Sequence, residues 1–227
     1  MNFLEFKEKL FDLACFNINQ LYACRPDFDR NNLTRWIGKG YIIRLRQGYY
    51  AFPEYKRIPD YAFYFSNRIY RPSYISLHTA LAFYGMIPEA VVQITGVTSL
   101  KTASFCNDFG EYSYKNIKET LMFGYELKPM IFGRSLQFTS PNDSGARTCE
   151  PVFTGRSLLF ASPEKALLDL LYLYPFYDNA QEMEELRLDD GFLHDDLNKD
   201  LLANYCVKFQ CKALERRLKL LFRTYDL

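Results

Sequence analysis

Apolar residues recur at helical spacing from the first turn of the chain. Phe3, Phe6, Leu10, Leu13 and Ala14, with Glu5, Lys7, Glu8, Lys9 and Asp12 between them, predict an amphipathic helix over about Asn2 to Ala14. A second short helix, capped by Asn17 or Asn19 and burying Ile18, Leu21 and Tyr22, is expected to stop at Pro26, because proline cannot continue it. A third starts behind Asp29 as N-cap, sets Leu33, Trp36 and Ile37 on one face, and ends at Gly38 and Gly40. The period then changes from helical to alternating. Ile43, Leu45, Tyr50 and Phe52 point inward and Arg44, Arg46 and Tyr49 outward in a hairpin turned at Gln47-Gly48, with Arg46 opposite Tyr49 and Arg44 opposite Ala51.

Three helices and a hairpin in this order predict a winged helix-turn-helix over residues 1–57. Residues 58–227 read as a larger mixed α/β domain, which makes the fold class α+β, with the boundary near Tyr55 to Asp60. An aromatic-rich helix is predicted over Asp60 to Tyr70, and another from a Ser76 cap to Gly85. Short β-prone runs follow at Val91–Val97, Ala103–Cys106, Glu111–Ile117, Leu121–Leu127 and around Leu136 and Leu158, implying an antiparallel or mixed sheet. Within them, Gly133–Pro141 and Gly155–Pro163 match at seven of nine positions, a local tandem duplication. Ser162, Pro163 and Glu164 open a helix that is apolar nearly all round except at Asp169, the mark of a buried central helix. C-terminal helices close the chain, one with Leu197, Leu201, Tyr205 and Phe209 four apart and one from about Cys211 to Tyr225.

Charge sharpens this outline. The chain has a net charge of only +1, but Arg25 to Arg57 carries eight basic residues against three acidic, a local +5. Phe176 to Asp200 carries nine acidic against two basic, and Lys208 to Arg223 six basic against one acidic. Asn31, Thr34, Arg35 and Lys39 on the exposed face of the third helix, with Arg44, Arg46 and Tyr49 on the hairpin, are side chains suited to base edges and phosphates. Lys212, Arg216, Lys219 and Arg223 form a second basic stripe on the last helix, either a solvated face or a contact for nucleic acid or an acidic partner. Six scattered cysteines without a C-x-x-C, and two histidines, give no zinc spacing; no cofactor is expected. The first residues lack a signal-peptide core and no apolar run approaches the ~20 residues of a membrane span, so a cytoplasmic protein is expected.

The hairpin Arg44–Tyr50, the stretch Tyr74–Gly85 (YISLHTALAFYG) and Ser162–Leu171 (SPEKALLDLL) together resemble the AbiEi family of bacterial antitoxins and transcriptional regulators. That resemblance spans most of the chain and implies a type IV toxin–antitoxin system. In it, the winged helix represses its own operon by binding double-stranded DNA at an inverted repeat. The second domain counters a nucleotidyltransferase-like toxin, AbiEii, without requiring a stable complex. It brings no catalytic residues, and its DNA-reading positions fall on Asn31, Thr34, Arg35, Lys39, Arg44 and Arg46. The duplicated Gly133–Pro141 segment departs from the family pattern. Two other readings stay open: a protein-interaction module using the winged helix against another protein, and a nucleotidyltransferase or hydrolase. The enzyme reading lacks a Gly-Ser plus paired-carboxylate signature and a Gly-x-Ser-x-Gly elbow.

Overall fold

The computed structural model describes residues 2–58, 60–89, 91–132 and 152–227. Helix α1 (Phe3–Leu10) opens on a reciprocal cap: Asn2 Oδ1 accepts the Glu5 N–H at 2.9 Å while the Glu5 carboxylate reaches back to the Asn2 N–H. The helix ends sooner than its apolar spacing predicts. Residues 11–13 tighten into a 3-10 turn, Ala14 takes φ +58, and Cys15–Asn17 become a strand, β1. Pairing with a distant strand outcompetes helix continuation here, burying Cys15 and Phe16 and leaving Leu13 37% exposed. Helix α2 (Ile18–Cys24) repeats the reciprocal cap with Asn17 and Gln20.

Helix α3 spans Asn31–Gly38. Its N-cap is Arg30 rather than Asp29, which instead accepts the Asn31 N–H through Oδ1 at 2.9 Å. At the other end Gly38 stays helical and Gly40 alone turns left-handed, at φ +71. The Gly40 N–H bonds Ile37 O and the Tyr41 N–H bonds Trp36 O, both at 2.9 Å, which satisfies two carbonyls of the last turn.

Strands β2 (Ile43–Arg46) and β3 (Tyr49–Ala51) form a hairpin, and β1 adds on the far side of β3, giving the order β1-β3-β2. The turn falls at Gln47-Gly48 as predicted, with Gly48 at φ +83. The register does not follow the prediction. Arg46 faces Tyr49, but Arg44 faces Tyr50 and Ile43 faces Ala51, so Leu45 is an extra residue in a bulge. Ile43 and Leu45 both stay buried, and the bulge re-aims Arg46.

A 3-10 turn at Pro53–Arg57 and α4 (Tyr61–Ile69) lead to a second sheet. Its strands are β4 (Ser73–Ile75), β5 (Gln93–Thr98), β6 (Ala103–Asn107), β7 (Gly110–Asn116), β8 (Tyr125–Phe132) and β9 (Val152–Ala161), and α5 (Leu77–Phe83) stands between β4 and β5. The order is β6-β7-β5-β4-β9-β8, with β4–β9 and β5–β7 parallel and the other pairs antiparallel, a mixed sheet. β4 has only three residues, too few to show a period in sequence. The predicted Leu121–Leu127 run splits into a 3-10 turn and the start of β8. Among the described residues β8 is an edge strand; it carries Pro129, which lacks an N–H, and an ion pair between Lys128 and Glu126 at 2.8 Å, features that discourage edge pairing. The run around Leu136 and the first repeat copy, Gly133–Pro141, lie outside the described residues. The second copy supplies the end of β9 and the cap of α6 (Pro163–Leu173), where Ser162 Oγ accepts the Lys165 N–H at 3.2 Å.

The acidic stretch then folds onto the body as α7 (Ala180–Glu184) and a π-helical turn at Phe192–Asp196, anchored by buried Met183, Leu186, Leu188, Leu193 and Leu197. In α8 (Lys199–Phe209) the buried face is Leu202, Cys206 and Phe209, one residue round from the predicted Leu201 and Tyr205. Helix α9 (Lys212–Thr224) buries Leu214, Leu218 and Leu221 as expected. Among the described residues the fold is mixed α and β with two sheets, and no helix is long and apolar enough to cross a membrane.

Candidate nucleic-acid interface

Helix α3 is held from beneath by aromatic rings. Trp36 lies 4.6 Å from Phe6, 5.3 Å from Phe3 and 5.8 Å from Phe28, ring centroid to centroid, and Leu33 is buried beside it. Contacts of this kind fix the rotation of a helix about its axis. The rotation leaves Asn31, Thr34, Arg35 and Lys39 exposed, all four on the predicted outer face, while Ile37 is only half-buried. Arg35 donates to Asn32 Oδ1, which sequence reasoning passed over, and Lys39 Nζ sits 5.8 Å from the ring of the exposed Tyr41. Arg25 and Arg30, before the helix, are also exposed.

Arg44 on β2 is exposed, as the alternation predicted. Lys39 and Arg44 are five residues apart, so their Cα atoms lie within ~18 Å, well inside one ~34 Å turn of duplex DNA. Arg46 is half-buried where the alternation predicts an outward-pointing side chain. Its guanidinium carbon lies 4.8 Å from the Tyr70 ring and 4.7 Å from the Phe105 ring, and Nη1 donates to Ile69 O at 2.7 Å. Tyr49 is half-buried because β3 is the middle strand, paired to Asn17 on one side and Arg46 on the other. Neither is a free fingertip, because the bulge and the third strand, which a two-residue period does not reveal, hold them.

No protein-family model matches this chain, and no curated protein matches it either.

Lys212, Arg216, Lys219 and Arg223 are exposed along α9, and Arg216 approaches Asp178 at 3.7 Å. The main packing partners of α9 are α6, α7 and α8, whereas those of the hairpin include α4 and β6. The two basic groups therefore sit on different parts of the framework. Arg217, which the stripe omitted, is buried and donates to Leu171 O at 2.9 Å.

The most concentrated buried chemistry lies under α6. Lys165 and Asp169, one turn apart, form an ion pair with no exposed surface, and Asp169 also accepts from Tyr74 OH at 2.8 Å and Ser76 Oγ at 2.9 Å. Ser76 thus spends its hydroxyl on Asp169 and does not cap α5 with it. Phe123 and Phe209 rings lie 4.8 and 4.5 Å from Lys165 Nζ. Burial pushes Lys165 down and Asp169 up, toward their neutral forms, while their mutual attraction opposes both. Asp169, the exception in the apolar surface of α6, is thus a hydrogen-bonded carboxylate. Lys165 was not anticipated as its partner, although i, i+4 spacing of opposite charges on an apolar helix was the available signal. His78 is a half-buried side chain set edge-on to Tyr174 at 5.6 Å, with its pKa lowered by burial.

Proposed function

We propose that this protein is a double-stranded-DNA-binding transcriptional autorepressor, and an antitoxin of the AbiEi type that counters a nucleotidyltransferase-like toxin. Residues 1–57 are its winged helix-turn-helix, α3 enters the major groove, and the hairpin is the wing. The single observation that carries the DNA reading is the exposed set Asn31, Thr34, Arg35 and Lys39 on a helix whose opposite face is fixed by Trp36, followed within reach by exposed Arg44. Asn31, Thr34 and Arg35 face base edges; Lys39 and Arg44 face phosphates. The antitoxin half of the proposal rests on the sequence resemblance, and the α9 stripe is a second basic surface available to it.

The test is a DNA titration against the duplex upstream of the protein's own reading frame, at several salt concentrations. Lys39→Ala with Arg44→Ala should weaken binding and lower the slope of log K against log salt by about 1.8, at about 0.9 per phosphate. An unchanged slope, or the absence of salt-sensitive binding by the wild type, refutes the DNA reading. Rescue of growth on co-expression with the toxin encoded beside it tests the antitoxin half.

A further inference from the structure

We propose that Arg46 is a positioning residue of the DNA-reading head: it sets the angle of the wing by gripping the six-stranded sheet and does not itself contact phosphate. This rests on the DNA-binding reading above. The side chain leaves the wing at the Leu45 bulge and lies against two rings that meet edge to face, Tyr70 after α4 and Phe105 on β6, 5.4 Å apart. Its Nη1 is committed to Ile69 O at 2.7 Å. A second, independent tie lies beside it: Asn107 Nδ2, also on β6, donates to Leu45 O at 3.0 Å. A guanidinium held over two rings and bonded to a backbone carbonyl has lost the freedom to follow a phosphate, whereas the exposed Arg44, two residues earlier, keeps it. A planar guanidinium does this better than an ammonium, since it stacks and hydrogen-bonds at once. The edge strand β6 thereby becomes part of the DNA-reading apparatus without touching DNA.

The experiment compares wild type, Arg44→Ala, Arg46→Ala, Arg46→Lys, Phe105→Ala and the Arg46→Ala/Phe105→Ala double variant, all full-length. Binding to the same upstream duplex is measured across salt, and amide exchange is followed over Ile43–Ala51. The expected result is that Arg44→Ala lowers the salt slope by about 0.9, while Arg46→Ala keeps the wild-type slope but weakens binding about tenfold. Phe105→Ala, which removes no charge, should reproduce the Arg46→Ala loss, and the double variant should lose no more than either single. Arg46→Lys should not rescue, and amide exchange in the hairpin should accelerate in both single variants. Three outcomes overturn the positioning role alone: a slope loss in Arg46→Ala equal to that of Arg44→Ala, rescue by lysine, or additive losses in the double variant. Absence of salt-sensitive binding by the wild type overturns the functional reading, and the positioning role with it.

Discussion

Replacing Asp169 by asparagine isolates one charge in the interior. The amide oxygen keeps the bonds from Tyr74 OH and Ser76 Oγ, which sit 2.8 and 2.9 Å from carboxylate Oδ2, while the amide NH2 takes the place of Oδ1, so Lys165 loses its counter-charge and its hydrogen-bond acceptor together. Lys165 has no exposed surface and rings on three sides, from Tyr74, Phe123 and Phe209. It then has two options. It can remain charged and unpaired, which in buried pairs costs about 3–5 kcal/mol. Or it can shed its proton, and from an ordinary value of 10.5 that costs at most about 5 kcal/mol at pH 7, at about 1.4 kcal/mol per unit. Both routes give a loss of about 3–5 kcal/mol, a large part of the total stability of a typical domain. With a urea slope of about 3 kcal/mol per molar, the midpoint should fall by about 1–1.7 M. The assay is urea unfolding followed by far-ultraviolet circular dichroism at pH 7. Adding Lys165→Met, an apolar chain of similar length in the ring cage, should recover most of the lost unfolding free energy, because no stranded charge remains. A single-variant loss below ~1 kcal/mol, or a double variant no more stable than the single, refutes the account of a buried charged pair.

Three further outcomes can be checked. Burial holds the His78 pKa below its ordinary 6.5, so the unfolded chain takes up the proton first. The His78 contribution is whole above pH 6.5 and is lost as pH falls through the folded value, which makes His78→Phe less acid-sensitive than wild type in urea midpoints measured from pH 7.5 to 5. Burial also raises the thiols of Cys15 to about 12 and Cys206 to about 11, whereas Cys24 and Cys106 are exposed. Iodoacetamide at pH 8, mapped by mass spectrometry, should label Cys24 and Cys106 in the folded protein and spare Cys15 and Cys206 until it unfolds. Finally, Gly124 has φ +68, and a Cβ there would come 2.8 Å from Tyr205 Cε2 and 3.1 Å from Lys165 Cβ. Gly124→Ala should cost about 1–3 kcal/mol in urea unfolding, and a neutral result would contradict the packing around Lys165.

What the chain states by itself is local. The Asn17 cap, the Gln47-Gly48 turn, the left-handed Gly40 and Gly85, and the Ser162-Pro163 helix start are decided by backbone preferences of a few adjacent residues, so they are readable in order. The outer face of α3 was readable too, because a 3.6-residue period sorts Leu33 and Trp36 from Asn31, Thr34, Arg35 and Lys39 without knowledge of any partner. The tertiary structure alone decided the rest. β1 exists because β3 offers it a ladder, against the helical spacing of its own neighbourhood. β4 is three residues long and is a strand only between β5 and β9. Alternation reads Arg46 as an outward-pointing side chain, and it packs instead over Tyr70 and Phe105, which are distant in sequence and meet it beside the Leu45 bulge. The burial of the Lys165 ammonium depends on the Phe123 and Phe209 rings, which distant segments bring against it. Period and capping are properties of one segment, whereas pairing, bulges and the burial of charge depend on which distant segments meet, and those meetings are set by the free energy of the whole chain.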